Sequence, residues 1–376
     1  MKWEVKPLGD VCEIRNGSTP SKGNPAFWEN GTIPWFTIDD IREQGRLITS
    51  TRQKITEAAL SGTSVKLLPK NSVLLCCTAS VGEFAITGIP LTTNQQFNGL
   101  VVKEPKKLDA NFLMHFVSTL KDELLGMSGK TTIDFIPISR LRDVTVPLPP
   151  LPEQQRIVGK LDAAFAALSE AQALVERNRA NARELFESYL NGVFERKGDG
   201  WVEKQLTDVA RIRTGKVDAN HQAGDGKYAF YTCAFGEFKS PTWSFEGPSV
   251  ILPGNGANVG VTFFYDGRFE AYQRTYVVNE FGAEVNPRYA YFCFRAGWKP
   301  YIATRQFGSA TNYIVLGDLK QFPVHLPSLK EQAIILGEFE EMEQHVLELE
   351  TTYQQKLSDL DALKKGLLGA AFRGEL

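Results

Sequence analysis

Two stretches of this chain carry apolar side chains every seventh residue. In the first, Leu161, Leu168, Val175, Ala182 and Tyr189 recur, interleaved with Ile157, Ala164, Ala171, Asn178 and Leu185. In the second the same places hold Phe339, Val346, Tyr353, Leu360 and Leu367, then Ile335, Met342, Leu349, Lys356 and Leu363. A seven-residue repeat keeps one stripe of side chains on one helix face, so the pattern predicts a coiled-coil seam over 153–198 and over 329–376. Pro152 suits the first turn of the earlier helix, where a missing N–H costs nothing, and Arg196-Lys197-Gly198 supplies basic residues and then a glycine stop. The later helix opens on a capping box, Ser328-x-x-Glu331. Asn178 and Lys356 are polar at equivalent seam positions. They fit either a device that fixes register or contact with a partner crossing the helices.

The two stretches are copies. Glu153 to Phe194 matches Glu331 to Phe372 over 42 residues at a constant offset of 178, with no gap. Surface loops absorb insertions readily, so an uninterrupted offset implies that length itself is constrained, and each helix is read as a ruler about 60 Å long. Parallel pairing would require the intervening segment to span that whole length, whereas a compact domain of its size is under ~40 Å wide, so antiparallel pairing is predicted. The globular segments also repeat, less closely. Trp3, Leu8, Asp10, Val11, Ile14 and Gly17 match Trp201, Leu206, Asp208, Val209, Ile212 and Gly215, and Val81-Gly82 matches Val259-Gly260. Short β-type runs at Ser72–Cys77, Gly99–Lys103, Val250–Leu252, Val261–Tyr265 and Thr275–Val278 are separated by Gly/Pro/Asn turns. The fold class read from these patterns is α+β. Two globular mixed α/β domains, 1–152 and 199–328, each with a strongly twisted sheet, are separated by an antiparallel two-helix coiled coil with pseudo-two-fold symmetry.

Charge narrows the function without fixing it. The whole chain is at -2, but residues 1–152 and 201–328 are each +2, residues 153–200 are -1 and residues 329–376 are -5. Mildly basic globular parts permit nucleic-acid binding without demanding it. Five cysteines with no Cys-x-x-Cys argue against a disulfide framework, and four scattered histidines offer no metal site. Without an apolar signal core near Met1 or an 18-residue apolar run, the protein is expected to be soluble and cytoplasmic, with no membrane partner. Gly254-x-Gly256-x-x-x-Gly260 superficially resembles a dinucleotide loop, but its spacing is wrong and strand-like residues follow it, so a hairpin loop is expected. No nucleophile elbow, phosphate-binding Gly-Lys-Ser/Thr loop or histidine pair on a helix is present, and no catalytic residue, metal ligand or cofactor is assigned.

What stands out is amide, hydroxyl and basic chemistry in glycine-punctuated loops. Thr92-Thr93-Asn94-Gln95-Gln96-Phe97-Asn98 carries four amides in five positions, and Tyr272-Gln273-Arg274-Thr275 is its counterpart. Asn and Gln can bond adenine bidentately, Arg can bond guanine, and Ser, Thr and Lys suit phosphates; such loops can equally satisfy their own turns. The candidate contacts are Lys22, Thr78, Ser80, Asn94, Gln95, Gln96, Lys130, Thr131 and Thr132 in the first domain. In the second they are Lys216, Asn255, Asn258, Tyr272, Gln273, Arg274, Arg305, Gln306, Ser309 and Asn312.

Gly17-Ser18-Thr19-Pro20-Ser21, Phe27-Trp28, Ile33-Pro34-Trp35-Phe36, Ser80-Val81-Gly82, Asn94-Gln95 and the run Pro147-Leu148-Pro149-Pro150-Leu151-Pro152-Glu153-Gln154-Gln155-Arg156-Ile157-Val158 together resemble the specificity subunits of type I restriction–modification systems, over essentially the whole chain. The second half departs at Ser328, Tyr272 and Arg274 and lacks the Thr-Pro-Ser element after Gly215. The resemblance implies a non-catalytic subunit whose two target-recognition domains each read half of an asymmetric bipartite site in double-stranded DNA. It also implies two adenine-methylating subunits as partners, and restriction subunits in the full complex. The alternatives are a self-contained methyltransferase or nuclease, opposed by the lack of an Asn/Asp-Pro-Pro-Tyr/Phe loop, and a scaffold that binds no nucleic acid.

Overall fold

A computed structural model describes residues 3–127, 136–303, 305 and 312–376. The chain divides into two compact units. The first comprises Met1–Leu174 with Lys356–Leu376, and the second Val175–Gln355.

Among the described residues the first unit holds ten strands: β1 (Glu4–Pro7), β2 (Cys12–Asn16), β3 (Ile33–Phe36), β4 (Leu47–Ile48), β5 (Gln53–Ile55), β6 (Val73–Cys76), β7 (Phe84–Thr87), β8 (Thr92–Thr93), β9 (Phe97–Val102) and β10 (Thr145–Leu148). They form three sheets rather than the single twisted sheet expected from sequence. These are a five-stranded sheet in the order β2-β9-β6-β7-β4, a three-stranded sheet β5-β3-β8, and the pair β1-β10. The division follows from the side chains. Val73, Leu75 and Leu100 pack with Leu8, Phe112 and Leu113 in one core, while Ile33, Trp35, Ile55 and Ala59 close a separate, smaller one.

The described residues of the second unit hold nine: β11 (Val202–Gln205), β12 (Arg211–Thr214), β13 (Tyr228–Tyr231), β14 (Phe238–Ser240), β15 (Ser249–Pro253), β16 (Phe263–Tyr265), β17 (Phe269–Ala271), β18 (Thr275–Asn279) and β19 (Pro323–Leu326). Their arrangement repeats the first: β12-β18-β15-β16, β14-β13-β17 and the pair β11-β19. Registers repeat too, since Lys6 faces Val146 as Lys204 faces Val324. The Gly254–Gly260 segment connects antiparallel β15 and β16, so it is the hairpin loop expected rather than a nucleotide loop.

The repeated segments are helices, Leu151–Arg196 and Leu329–Arg373. Pro152 stands in the first turn. At the far end Lys197, not Gly198, takes the left-handed conformation, at φ 43°. The capping box is half formed: Ser328 Oγ accepts from Glu331 N at 3.3 Å, but the Glu331 carboxylate accepts from Trp201 Nε1 at 2.9 Å instead of reaching back.

Within each unit the two helices run antiparallel. In the first, Arg156 donates to Leu376 O (2.6 Å) and Gln172 to Asp361 (2.9 Å), so partners descend as positions ascend. In the second, Arg179 meets Gln354, Arg183 meets Glu350 and Tyr189 meets Glu338. The helix segments are core members of their own unit. Ile157, Leu161, Leu368 and Ala371 join the first core, and Phe186, Leu190, Ile335 and Phe339 join the second.

The expected seam holds at one end of each helix and drifts at the other. Ile157, Leu161, Leu168, Ile335 and Phe339 are buried, and Val175, Asn178, Val346, Tyr353 and Leu360 are half-buried. Leu185 is 64 % exposed, Leu363 is 52 % exposed, Leu349 is 42 % exposed and Lys356 is exposed, so these four leave the seam. The cause is geometric. A straight helix of 3.6 residues per turn drifts about 20° per heptad, and Leu185 and Leu363 each stand four heptads beyond Ile157 and Ile335. A drift of about 80° nearly equals the 100° step between neighbours, so Phe186, 2 % exposed, takes the place Leu185 was to fill.

Candidate nucleic-acid interface

In the first unit, loops at one end of the large sheet are drawn together by a glycine. Gly17 N donates to Phe97 O (3.0 Å) and Ser18 N to Thr93 O (2.8 Å), which sets the turn after β2 against the Asn94–Gln96 loop. The approach is so close that a Cβ on Gly17 would lie 1.9 Å from Asn94 O. The loop's far side is held as Cys77 N donates to Gln96 O (2.9 Å), which brings in the Thr78–Gly82 turn between β6 and β7. There Ala79 has φ 62° and Gly82 has φ 87°, so the backbone turns sharply past Thr78 and Ser80. Trp28 Nε1 on Ser21 O (3.0 Å) and Trp35 Nε1 on Ser18 O (3.1 Å) pin the Ser18–Ser21 segment, which leads to the exposed Lys22.

This arrangement sorts the candidate amides. Asn94 is only 8 % exposed and its amide serves the loop itself, with Nδ2 donating to Gln96 Oε1 (3.0 Å) and Oδ1 accepting from Gln96 N (3.1 Å). Asn94 therefore shapes the loop. Gln95 is exposed beside Thr19, whose hydroxyl donates to Gln95 Oε1, and Gln96 is half-buried. A groove beside Gln95 is also lined by Arg15, Ser64 and Lys66. These three escape a sequence reading because strand pairing and a loop distant in the chain bring them there: Arg15 reaches Leu67 O at 2.8 Å across 52 residues.

The second unit builds the counterpart from different residues. Gly215 N donates to Thr275 O (3.2 Å), and a Cβ on Gly215 would lie 1.8 Å from Ala271 O. Val217 bridges Tyr272, and Gln273 N donates to Val217 O (2.9 Å), which sets Lys216 beside the Tyr272–Arg274 loop. Gly254 N donates to Arg274 O (2.9 Å), Gly256 N donates to Asn312 O (2.8 Å), and Asn258 Nδ2 donates to Cys233 O (2.8 Å). Lys216, Gln273, Arg274 and Asn312 are exposed in this cluster, while Asn255, Asn258 and Tyr272 are half-buried. Phe235, 64 % exposed, follows Cys233 in the same loop and was missed because an isolated phenylalanine carries no sequence signal. Arg305 holds its guanidinium 4.1 Å over the ring of Tyr301. Lys130, Thr131, Thr132, Gln306 and Ser309 lie outside the described residues.

Burial pushes the Cys12 thiol up to about 12 and the Cys77 thiol up to about 11, so neither is a nucleophile near neutral pH. Among the described residues no group of histidine, cysteine and carboxylate side chains could hold a metal ion. Among the described residues no helix is long and apolar enough to cross a membrane.

Known proteins resemble the chain over this whole arrangement. The model of the type I restriction modification DNA specificity domain matches twice, over residues 1–176 and 198–359. The specificity subunit of the type I restriction enzyme EcoprrI of Escherichia coli is 29 % identical over 368 residues, covering 92 % of this chain and 90 % of that protein. The MjaIX specificity subunit of Methanocaldococcus jannaschii is 30 % identical over 57 % of this chain and 52 % of its own length. Among solved structures, a chain from work on complex assembly and conformational transition of the type I R-M system superposes with a TM-score of 0.81 at 20 % identity, covering 100 % of this chain and 98 % of that one. The HsdS subunit of Thermoanaerobacter tengcongensis gives 0.60 at 18 %, covering 100 % of this chain and 97 % of its own. At such identities these two likenesses speak for the fold.

Proposed function

This chain belongs to the family of type I restriction–modification DNA specificity subunits, and from that premise we propose how its parts divide the work. Each unit's loop cluster reads one half of an asymmetric, bipartite site in double-stranded DNA. The long helices set the distance between the halves and dock two copies of an adenine-methylating subunit, with restriction subunits joining in the full complex. The chain supplies recognition and the partners supply the chemistry. The recognition domains are taken as 1–152 and 199–328, with 153–198 and 329–376 as the helical spacers.

The observation that carries this reading is the same scaffold built twice with different residues at its tip. Gly17 and Gly215 make equivalent close approaches, yet one places Gln95 and Gln96 where the other places Gln273 and Arg274. Adenine-type amide contacts at one end and a guanine-capable arginine at the other suit two unlike half-sites. Two features support docking of identical partners. Gly159 and Gly337, at the constant offset of 178, are exposed mid-helix glycines with nothing within 4 Å of an added Cβ. Among the described residues no close packing offsets their helix penalty of about 1 kcal/mol relative to alanine. Leu185 and Leu363 are likewise exposed at matching positions, an apolar surface presented twice.

Mapping methylated adenines genome-wide in a strain with and without this gene tests the reading. One asymmetric motif of two short halves around a fixed gap is expected to lose methylation when the gene is absent. A methylome unchanged by its loss would overturn the proposal.

A further inference from the structure

One buried polar residue recurs in both units with an equivalent set of backbone partners. Gln154 and Gln332, in the first turn of each long helix, are both 0 % exposed. Gln154 Nε2 donates to Lys107 O (2.8 Å) and Pro149 O (2.8 Å), and its Oε1 accepts from Asp109 N (2.8 Å). Gln332 Nε2 donates to Glu284 O (2.8 Å) and Pro327 O (3.0 Å), and its Oε1 accepts from Asn286 N (2.8 Å).

The partners show what is being joined. Asp109 is the N-cap of the helix Ala110–Val117, its carboxylate accepting from Asn111 N and Phe112 N. Asn286 is the N-cap of Pro287–Ile302, accepting from Arg288 N and Tyr289 N. Each glutamine therefore ties the start of a long helix to the start of the helix that underlies its own domain's sheet. Apolar neighbours such as Ile157 and Leu161 hold the helix against the domain without direction, so they leave rotation about the contact soft. Three hydrogen bonds from one rigid amide plane fix that angle, since each weakens steeply when misaligned. The rest of each attachment differs. Arg295 spans Glu187 (2.7 Å) and Glu343 (2.5 Å) in the second unit, while the first uses His115 on Asp162 (2.8 Å). The amide clamp is kept where the other polar contacts are not.

We propose that Gln154 and Gln332 are positioning residues that fix the angle of each recognition domain on its long helix, and that this angle restricts which half-site spacing the complex accepts. The inference rests on the bipartite reading above.

The test uses the complex reconstituted with its methylating subunits, after the half-sites have been mapped. Methylation is measured on duplexes with the cognate spacing and with one base pair more or fewer. Gln154→Met keeps volume and removes all three bonds, and Gln332→Met does so in the other unit. Each is expected to raise methylation at the altered spacings, relative to the cognate one, by about tenfold. Leu161→Ala, which weakens the same core without touching the clamp, should lower Tm and leave the spacing profile unchanged. If neither methionine variant assembles, Gln154→Asn, whose shorter amide cannot span all three partners, is read the same way. An unchanged profile in the glutamine variants, or equal relaxation in Leu161→Ala, overturns the clamp. A wild-type complex that methylates no bipartite site would instead remove the functional reading beneath it.

Discussion

Gly17 and Gly215 show how much a single missing side chain decides. Both were visible in the sequence as matched positions, but nothing in the sequence says that a carbonyl lies within 2 Å of where a Cβ would stand. Gly17→Ala is expected to destabilise the first unit by about 2 kcal/mol or more through forced displacement of the Asn94 backbone, and Gly215→Ala to act alike in the second. Gly159→Ala, in open space on a helix, should instead stabilise by about 0.5–1 kcal/mol. Urea denaturation of the three variants checks both signs, and equal effects would contradict the close approach. Asn94 carries the opposite lesson. Residue type alone made it a candidate base reader, and only its 8 % exposure and its bond to Gln96 show that it serves the loop. Exposure depends on folding partners far along the chain, which is why Arg15, Ser64, Lys66 and Phe235 were equally invisible.

The long helices were the most legible elements, because amphipathic periodicity and caps are local. Their ends fell within a few residues of the expected 153–198 and 329–376. The strand runs were located for the same reason, whereas their partition into three sheets per unit depends on long-range packing. The register of a strict heptad departs from the burial pattern at Leu185, Leu349, Lys356 and Leu363. That difference is measurable. Leu185→Lys and Leu363→Lys should leave stability within about 0.5 kcal/mol of wild type, whereas Phe186→Ala should cost about 3–5 kcal/mol by opening a cavity among Phe292, Phe339 and Leu190. Chemical denaturation that ranked Leu185→Lys as the more damaging change would restore the heptad and refute the drift.

Two units of one topology, each with its own core and its own pair of antiparallel helix segments, make the molecule modular in a physical sense. The hydrogen bonds described for each loop cluster join residues of one unit, so altering one tip is expected to leave those of the other intact. Duplication was readable in the constant offset of 178, and membership of the type I specificity family follows from motifs spread along both copies. The bases each tip reads were not readable, because direct readout depends on side-chain placement against a duplex rather than on composition. Exchange of residues 201–328 for the corresponding segment of another family member, followed by methylome sequencing, tests the modular claim most directly. The account predicts a methylated site in which one half changes and the other half stays as it was. A site altered in both halves, or in neither, would contradict it.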